Sequence, residues 1–239
     1  MNPQDADPQD ATLATNPQDA TLATNPQDAT LTANPQDATL TAYERGARQY
    51  AERTAQDPSP LVDDLLALVP RGSHVLELGS ATGRDAAALE SAGVIVDRTD
   101  GATAFIDTLR AAGHSARVLD VRADDFGGPY DAVFANAVLL HVPRADLPRV
   151  LATARRACRP GGVLVASFKK GTGAAWSEAK LDDPRHFTYW DQEGLREALR
   201  TAGWRPERVF ESTRAESVER WITAIARSAA SVSPGPEIR

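Results

Sequence analysis

From Val75 onward the chain alternates short apolar runs with stretches of helical spacing, and no other feature restricts the fold so much. Five runs read as buried strands: Val75–Leu78, Val94–Val96, Ala116–Leu119, Ala132–Ala135 and Val163–Ser167. Between them, the spacing predicts helices near Gly83–Ala92, Ala102–Ala112 and Arg144–Cys158. Such alternation specifies an α/β, doubly wound, mostly parallel sheet covered by helices on both faces. A further helix, Glu193–Ala202, ends at Gly203. Arg208–Ser212 and Trp221–Ala226 follow as strands, separated by eight residues. That is too short for a parallel crossover and predicts an antiparallel last pair.

The N-terminal part is built differently. Asp7-Pro-Gln-Asp-Ala-Thr-Leu-Ala-Thr15 recurs as Asn16–Thr24, Asn25–Ala33 and Asn34–Ala42, a period of nine residues. Asn-Pro-x-Asp reads as a helix start, with Asn as cap and Pro in the first turn. The next Pro arrives nine residues later and would break each helix. Each copy also offers one Leu and a few Ala, too little apolar surface to offset the entropy of ordering. The expectation is a flexible tandem-repeat arm over residues 1–42, with the last copy leading into a real helix that carries Tyr43, Ala47 and Tyr50 on one face. A second helix follows at Leu61–Val69. The domain then spans residues 43–227, and residues 228–239, rich in Ser, Pro and Gly, read as a flexible tail. Leu68-Val-Pro-Arg-Gly-Ser-His74 spells a thrombin linker site, yet in mid-chain it is sensible turn chemistry.

Charge follows the same division. The whole chain carries net −7, but residues 1–42 hold six Asp and no Lys, Arg or Glu. Removing those six leaves 27 acidic against 26 basic residues, a net of −1. A nearly neutral domain argues against a nucleic-acid stripe or a polybasic membrane patch. No apolar run approaches the ~20 residues of a membrane span, and the N-terminus lacks a signal peptide's basic and apolar regions. A single cysteine, Cys158, leaves no disulfide framework. These features predict a cytoplasmic protein, monomeric or a homodimer. His74 and His114 sit in turns without metal-ligand neighbours, so no metal site is expected.

Chemistry concentrates at the strand exits. Val75-Leu-Glu-Leu-Gly-Ser-Ala-Thr-Gly83 runs from a strand through a tight turn into a helix. Gly79 lets backbone approach a ligand and Gly83 lets the helix start close to the strand. A dinucleotide site would need G-x-G-x-x-G; here Ala81 and Arg84 stand where that pattern has glycines, and Glu77 suits a cationic nucleoside better than a diphosphate. Asp100 ends the second strand, where a carboxylate can accept both hydroxyls of a ribose. Asp120 and Val121 follow the third strand, Asn136 and Ala137 the fourth, and Arg159-Pro-Gly-Gly162 forms the turn into the fifth. Ligands bind at this edge of open α/β sheets.

Taken together, Glu77-Leu-Gly-Ser-Ala-Thr-Gly83, Asp100, Asp120, Tyr130-Asp-Ala-Val-Phe-Ala-Asn136 and Arg159-Pro-Gly-Gly162 resemble class I S-adenosylmethionine-dependent methyltransferases. The resemblance covers Tyr43 to about Arg227. It implies a seven-stranded sheet with the last strand antiparallel and S-adenosyl-L-methionine as cofactor. By that similarity Glu77, Gly79 and Gly83 shape the methionyl and ribose pocket, Asp100 holds the ribose, and Asp120 with Val121 meets adenine. Ser80, Ala81, Gly101, Asn136 and Ala137 are the neighbouring cofactor contacts, with Tyr50 as a lid. Ala81 departs from the family, which often has another glycine there.

In such enzymes the reaction is an in-line displacement governed by positioning, with a base needed only to take the acceptor's proton. His141, just past the fourth strand, is the candidate catalytic base; loop support is its alternative. Tyr43 is placed at the acceptor, or simply packs its helix. The segments Lys169–Trp176 and Pro184–Trp190 are rich in basic and aromatic groups, so Lys169, Trp176, His186 and Tyr189 are candidate acceptor contacts, or a solvated loop over a small aromatic core. The reading is methyl transfer to an oxygen or nitrogen of a small molecule. Alternatives are a tRNA or peptide methyltransferase, the peptide including the chain's own repeats, and a non-catalytic cofactor-binding module.

Overall fold

The structure, a computed structural model, describes residues 34–213 and 219–229. The expected arm, apart from its last copy, lies outside the described residues, as does the tail beyond Ala229.

The last repeat copy opens helix α1 (Pro35–Arg53). The Asn34 side chain caps it by accepting from the Gln36 amide at 3.0 Å, Pro35 occupies the first turn, and Asp37 and Arg53 sit at the dipole ends that favour them. The helix thus begins eight residues before position 43, the expected start of the domain. Thr39 and Ala42, both in the repeat, are buried.

Helix α2 (Leu61–Leu66) precedes strand β1 (His74–Leu78), which leads to α3 (Arg84–Ser91), β2 (Ile95–Asp100), α4 (Thr103–Ala111), β3 (Ala116–Val118) and β4 (Tyr130–Ala135). A 3₁₀ turn, Leu139–His141, and α5 (Leu147–Ala157) lead to β5 (Cys158–Lys169). After a hairpin, β6 (Ala174–Ser177) and β7 (Arg185–Thr188), come α6 (Gln192–Thr201), β8 (Trp204–Thr213) and β9 (Arg220–Ser228). Seven strands form one sheet in the order β3-β2-β1-β4-β5-β9-β8. All pairs from β3 to β5 are parallel, and β9 runs antiparallel to both β5 and β8. The expected architecture is present.

Both faces are apolar, as a covered parallel sheet requires. Val75, Ala132, Phe134, Val163 and Val165 face α2 and α3, whereas Leu76, Leu78, Val133, Leu164 and Ala166 face α5 and α6. Strand alternation therefore splits each run between two cores.

The separate β6–β7 hairpin was not anticipated. Its strands have four residues each, too few for a period of two to stand out. The thrombin-like stretch is an integral turn: the Gly72 amide donates to Gly93 O at 2.7 Å and Arg71 Nη1 to Ala92 O at 2.9 Å. Arg159–Gly162 belongs to β5 itself and lies at the sheet edge opposite the switch point, where it lines a second cleft with Pro70–Ser73.

Candidate active site

Strand order reverses between β1 and β4, and an open cavity of about 800 Å³ lies at their C-terminal ends. Its floor is the turn after β1. Gly79 has φ +70°, and a Cβ there would stand 2.2 Å from the Val138 side chain. Ala81 is held at φ 45° and Ala137, across the cavity, at φ 59°. Among the described residues only Lys180 joins them as a non-glycine with positive φ. Left-handed alanine costs about 1–2 kcal/mol, and two of three such positions line one cavity, where strain commonly marks a functional turn.

Asp100 holds this turn. Its carboxylate accepts from the Ala81 amide at 3.0 Å and from the Ala102 amide at 2.9 Å, tying the glycine turn to the start of α4. Burial pushes Asp100 up to about 6 despite those amides. Glu77 lies beneath the floor, bonded by the Ser80 hydroxyl, and burial pushes it up to about 7. Gly83 (φ +77°) begins α3, where a Cβ would stand 2.6 Å from Leu109. At the exit of β4, Asn136 Nδ2 donates to Asp85 at 2.7 Å, and the Ala137 amide donates to Ser167 Oγ at 2.9 Å.

The opposite wall is α1. Gln36, Thr39, Leu40 and Tyr43 follow one helical stripe and, with Tyr50 in the next turns, line the cavity. Polar ties fasten the helix down. Arg122 bridges Asp37 at 2.7 Å and Asp120 at 2.6 Å, the His186 amide donates to Thr39 Oγ1 at 2.9 Å, and the Ala104 amide donates to Glu44 at 3.2 Å.

A directed hydrogen-bond chain crosses this wall. His141 Nδ1 lies 2.7 Å from the His186 carbonyl, which can only accept, so Nδ1 carries the proton. Nε2 is then an acceptor, and the Tyr43 hydroxyl donates to it at 3.0 Å. Arg185 Nη1 in turn donates to the Tyr43 oxygen at 3.2 Å. Burial first, then the cations Arg185 and Lys169, hold His141 down to about 3, and burial raises Tyr43 well above the usual phenol range.

Of the sequence-derived candidates, Tyr43, Tyr50, Gly79, Ala81, Asp100, Gly101, Asp120, Val121, Asn136, Ala137 and His141 all line the cavity. Glu77, Ser80 and Gly83 support it from behind. Asp120 is committed to Arg122, whose Nε donates to Oδ1 and Nη2 to Oδ2, and this pairing lowers its pKa. Lys169, Trp176, His186 and Tyr189 do not line the cavity. Lys169 is buried against Glu219 at 2.5 Å, Trp176 packs edge-on to His186 on the hairpin surface, and Tyr189 packs against the main core. His186 reaches the site through its backbone only. Gln36, Thr39, Leu40, Phe105 and Arg122 are lining residues that the sequence reading missed. The i, i+3, i+4, i+7 spacing of Gln36, Thr39, Leu40 and Tyr43 was the available signal, hidden by assigning the repeat to an arm.

A family model described as a methyltransferase domain matches residues 50–209. The chain belongs to this methyltransferase family. With its sheet order, it is a class I enzyme that uses S-adenosylmethionine. Similar solved structures include the 1,6-didemethyltoxoflavin-N1-methyltransferase of Burkholderia thailandensis with bound 1,6-didemethyltoxoflavin and S-adenosylhomocysteine, at 22% identity and TM-score 0.64, covering 93% of this chain and 94% of that one. The CcbJ methyltransferase of Streptomyces caelestis is 21% identical with TM-score 0.65, covering 81% and 100%. Phosphoethanolamine N-methyltransferase 2 of Haemonchus contortus, in complex with phosphomonomethylethanolamine and S-adenosylhomocysteine, is 14% identical with TM-score 0.64, covering 82% and 60%. No curated protein sequence matches. The methyltransferase's cavity suits its cofactor: two buried carboxylates, both pushed towards protonation, surround a glycine turn that leaves no room for a side chain. A cation bound beside these carboxylates would favour their ionised forms.

Proposed function

We propose that this methyltransferase transfers its methyl group to an oxygen or nitrogen of a small-molecule acceptor. The observation that carries this reading is α1. A 19-residue helix lies across the cavity and contributes four consecutive stripe positions to its wall. A nucleotide in tRNA or a side chain of a folded protein would have to displace that helix and its ties. A small molecule needs only the space beneath it. The acceptors named for the similar solved structures are also small molecules.

Asp100, Gly79, Ala81 and Val121 would hold the cofactor, and Glu77 would support them. When bound, S-adenosylmethionine supplies an electrophilic methyl on a sulfonium. The chain's own contribution is to orient the acceptor and receive its proton. The Tyr43 oxygen accepts from Arg185 and donates to His141, which leaves one lone pair for an O–H or N–H of the acceptor. The proton of the methylated acceptor passes to the Tyr43 oxygen, while the phenolic proton moves to His141 Nε2. His141, held down to about 3, is a weak base. It suffices for a methylated hydroxyl, an oxonium far more acidic than that imidazolium, whereas a methylated amine keeps its proton until it returns to water.

The test is release of S-adenosylhomocysteine from the full chain across a panel of small hydroxyl and amine compounds, with intact-mass measurement of the protein alongside. Turnover with a small acceptor and an unchanged protein mass is the expected result. A mass increase of about 14 Da on the protein, without small-molecule turnover, would make the repeats the acceptor instead.

A further inference from the structure

Arg185 is a buried cation without an acidic partner among the described residues. It stands on β7 at 3% exposure, and no Asp or Glu lies within ion-pair distance of it among the described residues. Its Nη1 donates to the Tyr43 hydroxyl, and its Nε is buried with no acceptor. The other deeply buried cations differ: Arg98 pairs with Glu90 at 2.6 Å and Lys169 with Glu219 at 2.5 Å. A charge withdrawn from water destabilises the fold unless it is paired and hydrogen-bonded. The Tyr43 and Phe187 rings, 5.3 and 5.4 Å from the guanidinium carbon, compensate in part. One hydrogen bond and two ring faces leave most of a five-donor fork unused.

Position gives this deficit a meaning. The hydroxyl that Arg185 touches belongs to the cavity wall, and His141 lies one hydrogen bond further on. Lys169 Nζ sits 3.8 Å above the Phe187 ring, which is 4.7 Å from the His141 ring. Behind the hairpin end of the wall lie two cations, Lys169 paired with Glu219 and Arg185 with no acid beside it among the described residues, while Asp100 and Glu77 make the opposite end acidic. The acidic end suits a cationic cofactor; the Arg185 charge has no counterpart among the described residues.

We propose that the acceptor of this methyltransferase carries an oxyanion, a carboxylate or a phosphate, gripped by Arg185 so that its nucleophile meets Tyr43. A guanidinium binds such groups through two parallel N–H bonds, fixing orientation as well as charge. The inference rests on the small-molecule reading above and deepens it.

Calorimetric titration of the full chain, saturated with S-adenosylhomocysteine, separates the possibilities. The probes are benzoate, phenyl phosphate and the neutral benzamide. One of the anions is expected to bind saturably at least tenfold more tightly than benzamide, and which one does so identifies the oxyanion. Arg185→Gln should abolish that preference, Arg185→Lys should weaken it at least threefold, and the exposed-site control Lys170→Gln should leave it intact. S-adenosylhomocysteine affinity should stay within twofold throughout, which shows that the variants are folded. Equal binding of benzamide and both anions overturns the proposal, as does an unchanged preference in Arg185→Gln. If the Gln variant fails to fold, the Lys variant decides: full retention of the anion preference overturns it. Turnover confined to neutral acceptors would also overturn the oxyanion, while leaving methyl transfer to small molecules standing. Failure of the wild-type chain to turn over any small acceptor would instead remove the underlying reading.

Discussion

At the scale of single residues, Tyr43 and His141 form a unit. Tyr43→Phe keeps the ring packing against Tyr50 and Phe105 but removes the hydroxyl that links acceptor to imidazole. Turnover should fall by about 10²-fold, the usual scale for a lost acid–base group, with cofactor affinity unchanged; near-normal turnover would make catalysis purely positional. The depressed His141 also changes the expected pH profile. An imidazole near its ordinary value would give an acid limb around pH 6.5, whereas one held at about 3 should leave the rate flat to about pH 5 as far as this residue is concerned. Asp100 behaves oppositely. With its carboxyl pushed up to about 6, the free enzyme binds a proton there that the proposed ribose hydroxyls would have to displace. Cofactor affinity should drop about tenfold between pH 7 and pH 5, and calorimetry on Asp100→Asn should show that dependence flattened. Because Asp100 also accepts from two amides, removing its side chain altogether would disturb the turn, so the isosteric variant is the cleaner probe.

At the scale of elements, α1 decides how much of the repeat region matters. Its cap, its ion pair to Arg122 and three of its cavity residues, Gln36, Thr39 and Leu40, all lie in the copy Asn34–Ala42. A chain beginning at Asn34 should therefore match the full chain in melting temperature, cofactor affinity and turnover. A chain beginning at Tyr43 should lose the cap, worth ~1 kcal/mol, and the wall, with a clear fall in cofactor affinity. Equal behaviour of the two shortened chains would mean that α1 does not close the site. The strand–helix elements were legible because each buries a repeating apolar pattern: Val75, Leu76 and Leu78, or Val163 to Ala166, announce themselves by type. The hairpin was not, since Ala174-Ala-Trp-Ser has no period and its pairing partner is eight or more residues away.

At the scale of the whole molecule, three buried titratable groups set the pH response of stability. Glu77 and Asp100, raised to about 7 and about 6, favour folding while protonated, so their contribution is complete at low pH and is lost as pH rises through those values. His141, lowered to about 3, favours folding while neutral, so its contribution is complete above about 6.5 and is lost on acidification. Between about pH 4.5 and 6 these three groups give the folded state two extra carboxyl protons and one imidazole proton fewer, while His186, lowered by partial burial, adds to the imidazole side. For the three buried groups taken together, the net sign makes the ligand-free enzyme less stable as pH rises across that window. Melting temperatures that climb from pH 4.5 to 6 would contradict these protonation states. The sequence by itself determined the sheet, its antiparallel last strand, the glycine turn and the carboxylates at strand exits, because these follow from local pattern and from the fixed edge at which parallel strands end. Only the tertiary structure decided that a repeat copy walls the cavity, that Asp120 serves Arg122, and that Lys169 pairs with Glu219 while Arg185 meets no acid among the described residues. Those outcomes depend on which side chains meet across 85 residues for Asp37 and Arg122, or 142 for Tyr43 and Arg185, and no local pattern encodes contacts at that distance.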